Sequence, residues 1–247
     1  ESRDQARRNV PVAVLALDRL VSVQDYADFA RVFAGIGKAS AASLSDGRRE
    51  VVHLTVAGAD DIPIDPTSDL YRNLLAALAK FGDRNLPLQV EVREAVFLFV
   101  SAKVKAGADY LWKDVEPKVR TALLDRFGFD RQQLGDDVLL SRVIGTIQAV
   151  EGVDYVDVDL LDGVSESDAA DPGTLAARLE ALAAASGSPS TAATNCASKT
   201  QPRQRVAVQL ARVDPAATDP DLRIRPAQIA YLNPELPDTL VLTEVTS

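Results

Sequence analysis

A tight-turn signal between two alternating segments constrains the fold most strongly. The run Ser45-Asp46-Gly47-Arg48 separates residues 38–44 from residues 50–56, and both flanking segments have the composition of β-strands. A two-residue hairpin turn needs positive φ at its central positions, and Asp-Gly tolerates that conformation. The pattern therefore predicts an antiparallel β-hairpin, with His53 inside its second strand.

Amphipathic helices flank this hairpin. Ser22 and Asp25 have the spacing of a capping-box variant and predict a helix start, while Gly35 predicts the helix end. Pro66 predicts the first turn of a second helix, because proline fits only there, and Gly82 predicts its end. The first helix has one apolar face made of Val23, Tyr26, Phe29, Ala30 and Phe33.

With a half-buried strand at 87–92, these elements predict a first α/β module over residues 22–95. A second module is predicted over residues 96–162. It consists of a strand at 96–104, a helix that ends at Phe127 and has Pro117 in its first turn, a helix capped by Asp137, and a strand at 153–161.

The two modules share an order of elements. In the first module a helix–strand pair comes before a strand–helix pair, whereas in the second module the strand–helix pair comes first. This swapped order predicts an internal repeat of permuted copies. We therefore expect an α+β fold with two small repeated α/β sandwich modules, whose helices pack on short mixed or antiparallel sheets. A flexible linker and an extended, β-containing C-terminal tail follow the modules.

The remaining segments have a different composition. Residues 1–21 predict an N-terminal arm, and residues 163–204 predict a linker rich in Ala, Ser and Thr, with one helix from about Thr174 to Ala185. The C-terminal tail, residues 205–247, carries Pro215, Pro220, Pro226, Pro234 and Pro237, which are too dense for a helix. Short strands are expected in it at 205–210, 228–232 and 239–245.

The arm and the tail are the expected partner-binding elements. Both are extended and apolar, and neither has an evident packing partner within the sequence, so strand addition to a neighbouring subunit is the expected binding mode. On this basis, deletion of residues 226–247 should leave the modules folded while it abolishes assembly.

Composition limits the function further. The formal charge of −9 and the pI near 4.7 argue against sequence-independent nucleic-acid binding, which needs a basic face. No apolar run approaches the ~20 residues of a membrane span. The absence of Met leads us to expect a segment of a longer polypeptide. The single cysteine, Cys196, excludes an internal disulfide and suits a reducing compartment.

The residue types that support catalysis are sparse. His53 is the only histidine, and a core position in a strand is the favoured interpretation. A pair of Cys196 with His53 is formally open, although nothing local in the sequence supports it. Carboxylate catalysis is the last-ranked alternative, and its candidates are Asp60, Asp61, Asp157 and Asp159. We expect no enzymatic activity, no catalytic residue and no cofactor.

No metal site is expected either. The run from Asp157 to Gly163 is similar to a calcium loop, but Leu161 and Asp168 stand where the loop needs an oxygen ligand and a bidentate glutamate. A strand with one solvated face explains it better. The pairs Asp60-Asp61 and Asp136-Asp137 are explained by helix capping, and no Cys/His spacing suits zinc.

Two further patterns could indicate a ligand. Gly35-Ile36-Gly37 follows a helix and precedes a strand, which is the reverse of the order in a dinucleotide-binding turn. Aromatic residues at Tyr110, Trp112, Phe127 and Phe129 could form a ligand platform, but their spacing favours core packing.

Three motifs resemble one protein family. Residues 17–39, which include Leu20-Val21-Ser22 and Asp25-Tyr26, resemble the LVS-x-x-DYE-x-FA…GI-x-KA segment of baseplate J-like proteins. Residues 139–154 resemble the later L-x-x-I-x-x-V-GV-x element of that family. Residues 225–232 resemble the end of baseplate assembly proteins, and residues 163–204 have no counterpart.

The resemblance implies a structural role. Baseplate J-like proteins are wedge subunits of contractile phage tails and contractile injection systems, so this chain is expected to be the C-terminal part of a wedge protein. Expected partners are other wedge subunits, further copies of itself, the hub and spike, and sheath-initiating proteins. The expected location is cytoplasmic assembly within a contractile particle. Alternatives are a tail-associated binding module and a generic α/β oligomer-assembly domain.

Overall fold

The computed structural model describes residues 20–45, 49–83, 85–171, 202–215 and 224–245, together with positions 173 and 177. The chain divides into two compact units, which we call unit 1 (residues 1–94 and 209–229) and unit 2 (residues 95–208 and 230–247). Most of the predicted arm, most of the helix predicted from Thr174, residues 178–201 of the predicted linker with Cys196, and the hairpin turn at 46–48 lie outside the described residues.

Unit 1 contains a three-stranded mixed sheet and two helices: α1 (Val23–Val32), β1 (Ile36–Ser45), β2 (Glu50–Gly58), α2 (Asp69–Phe81) and β3 (Leu88–Val92). The strand order is β1-β2-β3. Strands β1 and β2 are antiparallel, with Ser45 opposite Glu50, whereas β2 and β3 are parallel. The predicted hairpin pairing is therefore confirmed.

The two helices of unit 1 begin differently. Ser22 and Asp25 form the predicted capping box, in which the Asp25 N–H donates to Ser22 Oγ (3.2 Å) and the Ser22 N–H donates to Asp25 Oδ2 (2.7 Å). The prediction that Pro66 opens α2 is wrong, because α2 begins at Asp69 and Ser68 caps it. The carboxylate of Asp65 accepts the backbone N–H of Thr67 (2.7 Å), and this local turn delays the helix.

The core of unit 1 lies between the helices and one face of the sheet. Its buried members include Tyr26, Ala30, Val52, Leu54, Val56, Leu74, Leu78 and Val90. Strand β2 is buried along both faces, since the alternate residues Val51, His53, Thr55 and Ala57 are also buried. The periodicity that placed helices on one sheet face did not indicate this second buried face.

Unit 2 has a long antiparallel strand pair covered by helices. Its elements are β4 (Glu94–Ala106), α3 (Trp112–Phe127), β5 (Val138–Leu139), α4 (Leu140–Gln148), β6 (Val153–Ser165) and the short α5 (Glu166–Ala170). Strands β4 and β6 pair from Val96–Ser165 to Ala106–Val153, with two register shifts. Pro117 is in α3 but beyond its first turn, so its predicted position is wrong.

The C-terminal residues form short strands within the chain. They are β7 (Arg205–Val206), β8 (Arg212–Val213), β9 (Ile224–Arg225), β10 (Gln228–Tyr231) and β11 (Leu240–Glu244). Strand β7 pairs with β5, and β8 pairs with β9. Both β10 and β11 pair with β4, and β11 is parallel to it.

The C-terminal strands correct the expectation of a tail without a packing partner. Ala230, Leu232 and Leu240 are buried in the core of unit 2 with Leu98, Val100, Val119, Leu123, Phe127, Val143 and Ile147. The Leu232 N–H donates to the carbonyl of Phe127 (2.8 Å). These contacts join residues more than a hundred positions apart, so local sequence patterns could not reveal them. The predicted strand at 205–210 is limited to Arg205–Val206.

The fold class is α+β, as predicted, with mixed and antiparallel sheets. Each unit contains an antiparallel strand pair in which one strand follows a helix and the other precedes a helix: β1 and β2 in unit 1, and β6 and β4 in unit 2. A further strand is parallel to the strand that precedes a helix, β3 beside β2 and β11 beside β4. The internal repeat itself stays a prediction. Within the described residues, every helix is too short or too polar to cross a membrane.

Candidate assembly surfaces

The only histidine is a core residue. His53 lies in β2 with a fully buried side chain, and its Nδ1 is 3.5 Å from Thr55 Oγ1. Its Nε2 lies 3.3 Å from Glu91 Oε2 on β3, without the alignment of a hydrogen bond. Thr55 Oγ1 in turn accepts the backbone N–H of Ala227 (2.9 Å). His53 therefore belongs to a buried polar chain that links the sheet to a C-terminal segment of unit 1.

The candidate carboxylates Asp60 and Asp61 lie in a turn. Asp60 and Asp61 follow β2 in a 3₁₀ turn, and both have left-handed backbone conformations, with φ of 52° and 62°. Asp61 forms an ion pair with Arg93. The expectation that this pair caps a helix is wrong, because α2 begins only at Asp69.

In the pair Asp136-Asp137, Asp137 joins two segments of unit 2. The prediction that Asp137 caps the following helix is wrong, because that helix, α4, begins at Leu140 and has no side-chain cap. Asp137 instead accepts the Val208 N–H at Oδ1 (2.8 Å) and the Arg205 guanidinium at Oδ2 (2.9 Å). A capping residue and a long-range acceptor have the same local sequence, so only the fold distinguishes them.

The acidic run of β6 is a strand, as its alternation of acidic and apolar residues predicted. Asp159 accepts a hydrogen bond from Lys103 Nζ (2.8 Å), and this bond raises the pKa of Lys103 above its usual value. Asp162 is buried and pairs with Arg203 (3.1 Å). Among the residues that the structure describes, no group of three or more His, Cys, Asp or Glu side chains is placed to hold a metal ion.

The four aromatic residues do not form a shared platform. Phe127 is buried in the core of unit 2, and Trp112 packs against that core. Phe129 makes an edge contact with Tyr231, with ring centroids 5.5 Å apart. Tyr110 is exposed and donates its hydroxyl to Glu151 (3.0 Å), which raises the pKa of Tyr110.

Exposed strand and loop positions remain as candidate assembly surfaces. Strand β11 pairs with β4 alone among the described strands, so its other edge has no strand partner within the described residues and is a candidate for strand addition. Val241 on this strand is 47% exposed. At the other end of the described chain, Leu20 is buried with its N–H bonded to the Phe81 carbonyl (2.9 Å), whereas Val21 is 80% exposed.

The chain has an α+β fold in which His53, Asp61 and Asp137 make contacts within the chain. Residues 18–91 match the family model described as the baseplate J-like central domain. The matched range contains α1, β1, β2, α2 and most of β3, so this part of the chain is similar to the baseplate J-like central domain. This match confirms the resemblance carried by the motif at residues 17–39.

Two further comparisons were made with curated proteins and with solved structures. No curated protein matches the sequence. Among solved structures, the chain is similar to a chain in the cryo-EM structure of the anti-feeding prophage baseplate, which was symmetrised six-fold. The identity is 13%, the TM-score is 0.47, and the similarity covers 66% of this chain and 38% of the baseplate chain. This chain therefore spans well under half the length of that relative.

Proposed function

We propose that this protein is a structural subunit of the baseplate wedge in a phage-tail-like contractile injection system. The observation that carries the proposal is the match of residues 18–91 to the baseplate J-like central domain. The same range folds as one sheet with two helices, so the matched segment forms a single packed body. A rigid α/β body of this kind suits a part that transmits force between neighbours.

The roles of the polar residues agree with a structural protein. His53 is buried within a sheet, Asp61 pairs with Arg93, and Asp137 joins two chain segments. Each of these groups is committed to a contact inside the chain. We propose accordingly that the protein has no catalytic residues and works without a cofactor or a metal.

The proposed partners are other wedge subunits, further copies of this chain, the hub and spike, and sheath-initiating proteins. Because the described C-terminal strands pack within the chain, the edge of β11 away from β4 replaces a free tail as the proposed partner surface. The wedge would assemble in the cytoplasm, surround the hub and support sheath attachment and firing.

Negative-stain microscopy of lysates tests this proposal. Three strains are compared: the parent, a deletion of this gene, and the deletion complemented with the wild-type gene. The deletion should yield loose tubes and sheaths or no sheathed particles, and complementation should restore them. Mass spectrometry of purified particles should detect this chain. Intact particles in the deletion strain, or particles that lack the chain, would refute the wedge assignment.

A further inference from the structure

A shallow groove crosses the surface of unit 2 beside α3 and α4. Its volume is 660 Å³, and it is lined by Ala122, Asp125, Arg126, Arg131, Arg142, Gly145, Thr146, Ala149 and Val150. Within α4, Gly145 and Thr146 are three and four positions after Arg142, so the three residues lie on one face of that helix. The opposite face, with Val143 and Ile147, is buried in the core. The groove is thus the solvent side of a helix pair that the core holds in place.

The groove carries an excess of positive charge in an acidic chain. Three arginines and one aspartate line it, whereas the whole chain has a formal charge of −9. Arg126, Arg131 and Arg142 are exposed, and none of them forms an ion pair within the described residues. Arginine guanidinium groups bind carboxylates in a two-pronged geometry, so this rim complements an acidic segment.

The glycine on the groove floor has no explanation within this chain. Gly145 is exposed in the middle of α4, and a Cβ at this position would meet nothing within 4 Å. Its φ is not positive, so the backbone does not require glycine. Glycine inside a helix lowers the folding equilibrium constant about fivefold relative to alanine. If a second backbone lay close to α4 at this point, it would leave no room for a side chain, and glycine would be required.

We propose that the α3–α4 groove docks an acidic α-helical segment of a different subunit. Small residues at 122, 145 and 149 allow a helix to approach closely, and the three arginines select its charge. An added helix packs naturally against a surface with this spacing, because ridges at three- and four-residue intervals fit such grooves. This inference rests on the proposed role as a subunit of a larger assembly.

Site-specific photo-crosslinking in the purified particle tests the proposal. A benzoylphenylalanine at Thr146, on the groove floor, should crosslink to a peptide of another subunit that is rich in Asp and Glu. The matched control places the same group at Lys118, which is exposed on α3 and does not line the groove. A neutral or basic partner peptide, a peptide from a second copy of this chain, or no crosslink at Thr146 would each overturn the proposal.

Substitutions separate docking from folding. Gly145→Ala should raise the melting temperature of the isolated chain by roughly 2–4 °C and lower its incorporation into particles severalfold. The double variant Arg126→Glu/Arg142→Glu should fold normally but lose the Thr146 crosslink, whereas Lys118→Glu should keep it. Unchanged incorporation of Gly145→Ala, or a retained crosslink in the double variant, contradicts the groove as a docking site.

The outcomes for the groove and for the wedge assignment are distinguishable. If the wild-type chain is absent from the particles, the proposed function fails. If the chain is present in particles and the Thr146 crosslink is absent, only the groove proposal fails.

Discussion

Replacement of Leu240 by Ala tests whether the C-terminal strand is part of the folded unit or a free tail. Leu240 is 4% exposed and lies opposite Val100 in the parallel pairing of β11 with β4. Its side chain belongs to the core of unit 2. The adjacent Val241 points away from this core and is 47% exposed, so the same strand supplies a matched control.

The expected loss of stability follows from burial. A fully buried leucine that is truncated to alanine loses its transfer free energy and leaves a cavity, which together cost about 2–5 kcal/mol. We expect ~3 kcal/mol for Leu240→Ala, a large part of the roughly 5–15 kcal/mol that stabilises a typical domain. Val241→Ala should cost less than about 1 kcal/mol, because the valine is half in solvent on an edge strand.

Urea unfolding monitored by tryptophan fluorescence measures this difference. The chain has one tryptophan, Trp112, which packs against the same core as Leu240 and therefore reports on unit 2. With a slope near 2 kcal/mol per molar urea, Leu240→Ala should lower the midpoint by about 1.5 M. Deletion of residues 240–247 should lower it further, because the parallel edge of β4 also loses its partner.

Equal midpoints for Leu240→Ala and the wild type would refute this reasoning. That result would mean that β11 does not pack in solution, and it would restore the free tail expected from sequence. A large effect of Val241→Ala with none of Leu240→Ala would show that the register of β11 is shifted by one residue.

Changes at four further positions test individual contacts. Ser22→Ala removes the hydroxyl that caps α1 and should cost about 1 kcal/mol in thermal unfolding at pH 7. Backbone hydrogen bonds from Ser22 and Val21 lower the pKa of Asp25 below its usual value of 3.8. The contribution of this carboxylate to folding stability is therefore present above pH 3.8 and is lost as the pH falls through the lowered pKa. The stability advantage of the wild type over Asp25→Asn should accordingly shrink in acid. Gly152→Ala should cost about 1–3 kcal/mol in urea unfolding, because Gly152 has a φ of +97° and the new Cβ would lie 2.8 Å from a tyrosine ring carbon. Thr55→Val leaves the buried Ala227 N–H without its acceptor and should cost about 1–3 kcal/mol in the same assay, whereas Thr55→Ser should retain most of the stability. If one of these variants is as stable as the wild type, the contact concerned does not contribute to stability in solution.

Local signals located the elements of unit 1 well. The capping box at Ser22 and Asp25 forms as predicted, and the strands on either side of the Asp46-Gly47 signal pair in antiparallel order. These features depend on hydrogen bonds between residues close in sequence or on turn conformations of particular residue types. The family motif at 17–39 lies in the same region, which is why the sequence also indicated the baseplate J-like domain.

Long-range partners could not be predicted in the same way. Asp137 has the composition of a helix cap, yet it accepts hydrogen bonds from Arg205 and Val208. The groove beside α4 has no sequence motif, because its arginines come from two helices and an intervening turn. Only the packing of α3 against α4 brings these residues to one surface.

Local patterns in the sequence indicate the α+β class, the start of α1 at its capping box and the similarity of residues 18–91 to the baseplate J-like central domain, because periodicity, caps and turns act over a few residues. Tertiary structure alone decided that the proline-rich C-terminal segment completes the sheet of β4. The apolar alternation at 228–232 and 239–245 predicts strands but not the strand that receives them. That choice depends on β4, which is long enough to pair with β6 along one edge and with β10 and β11 along the other.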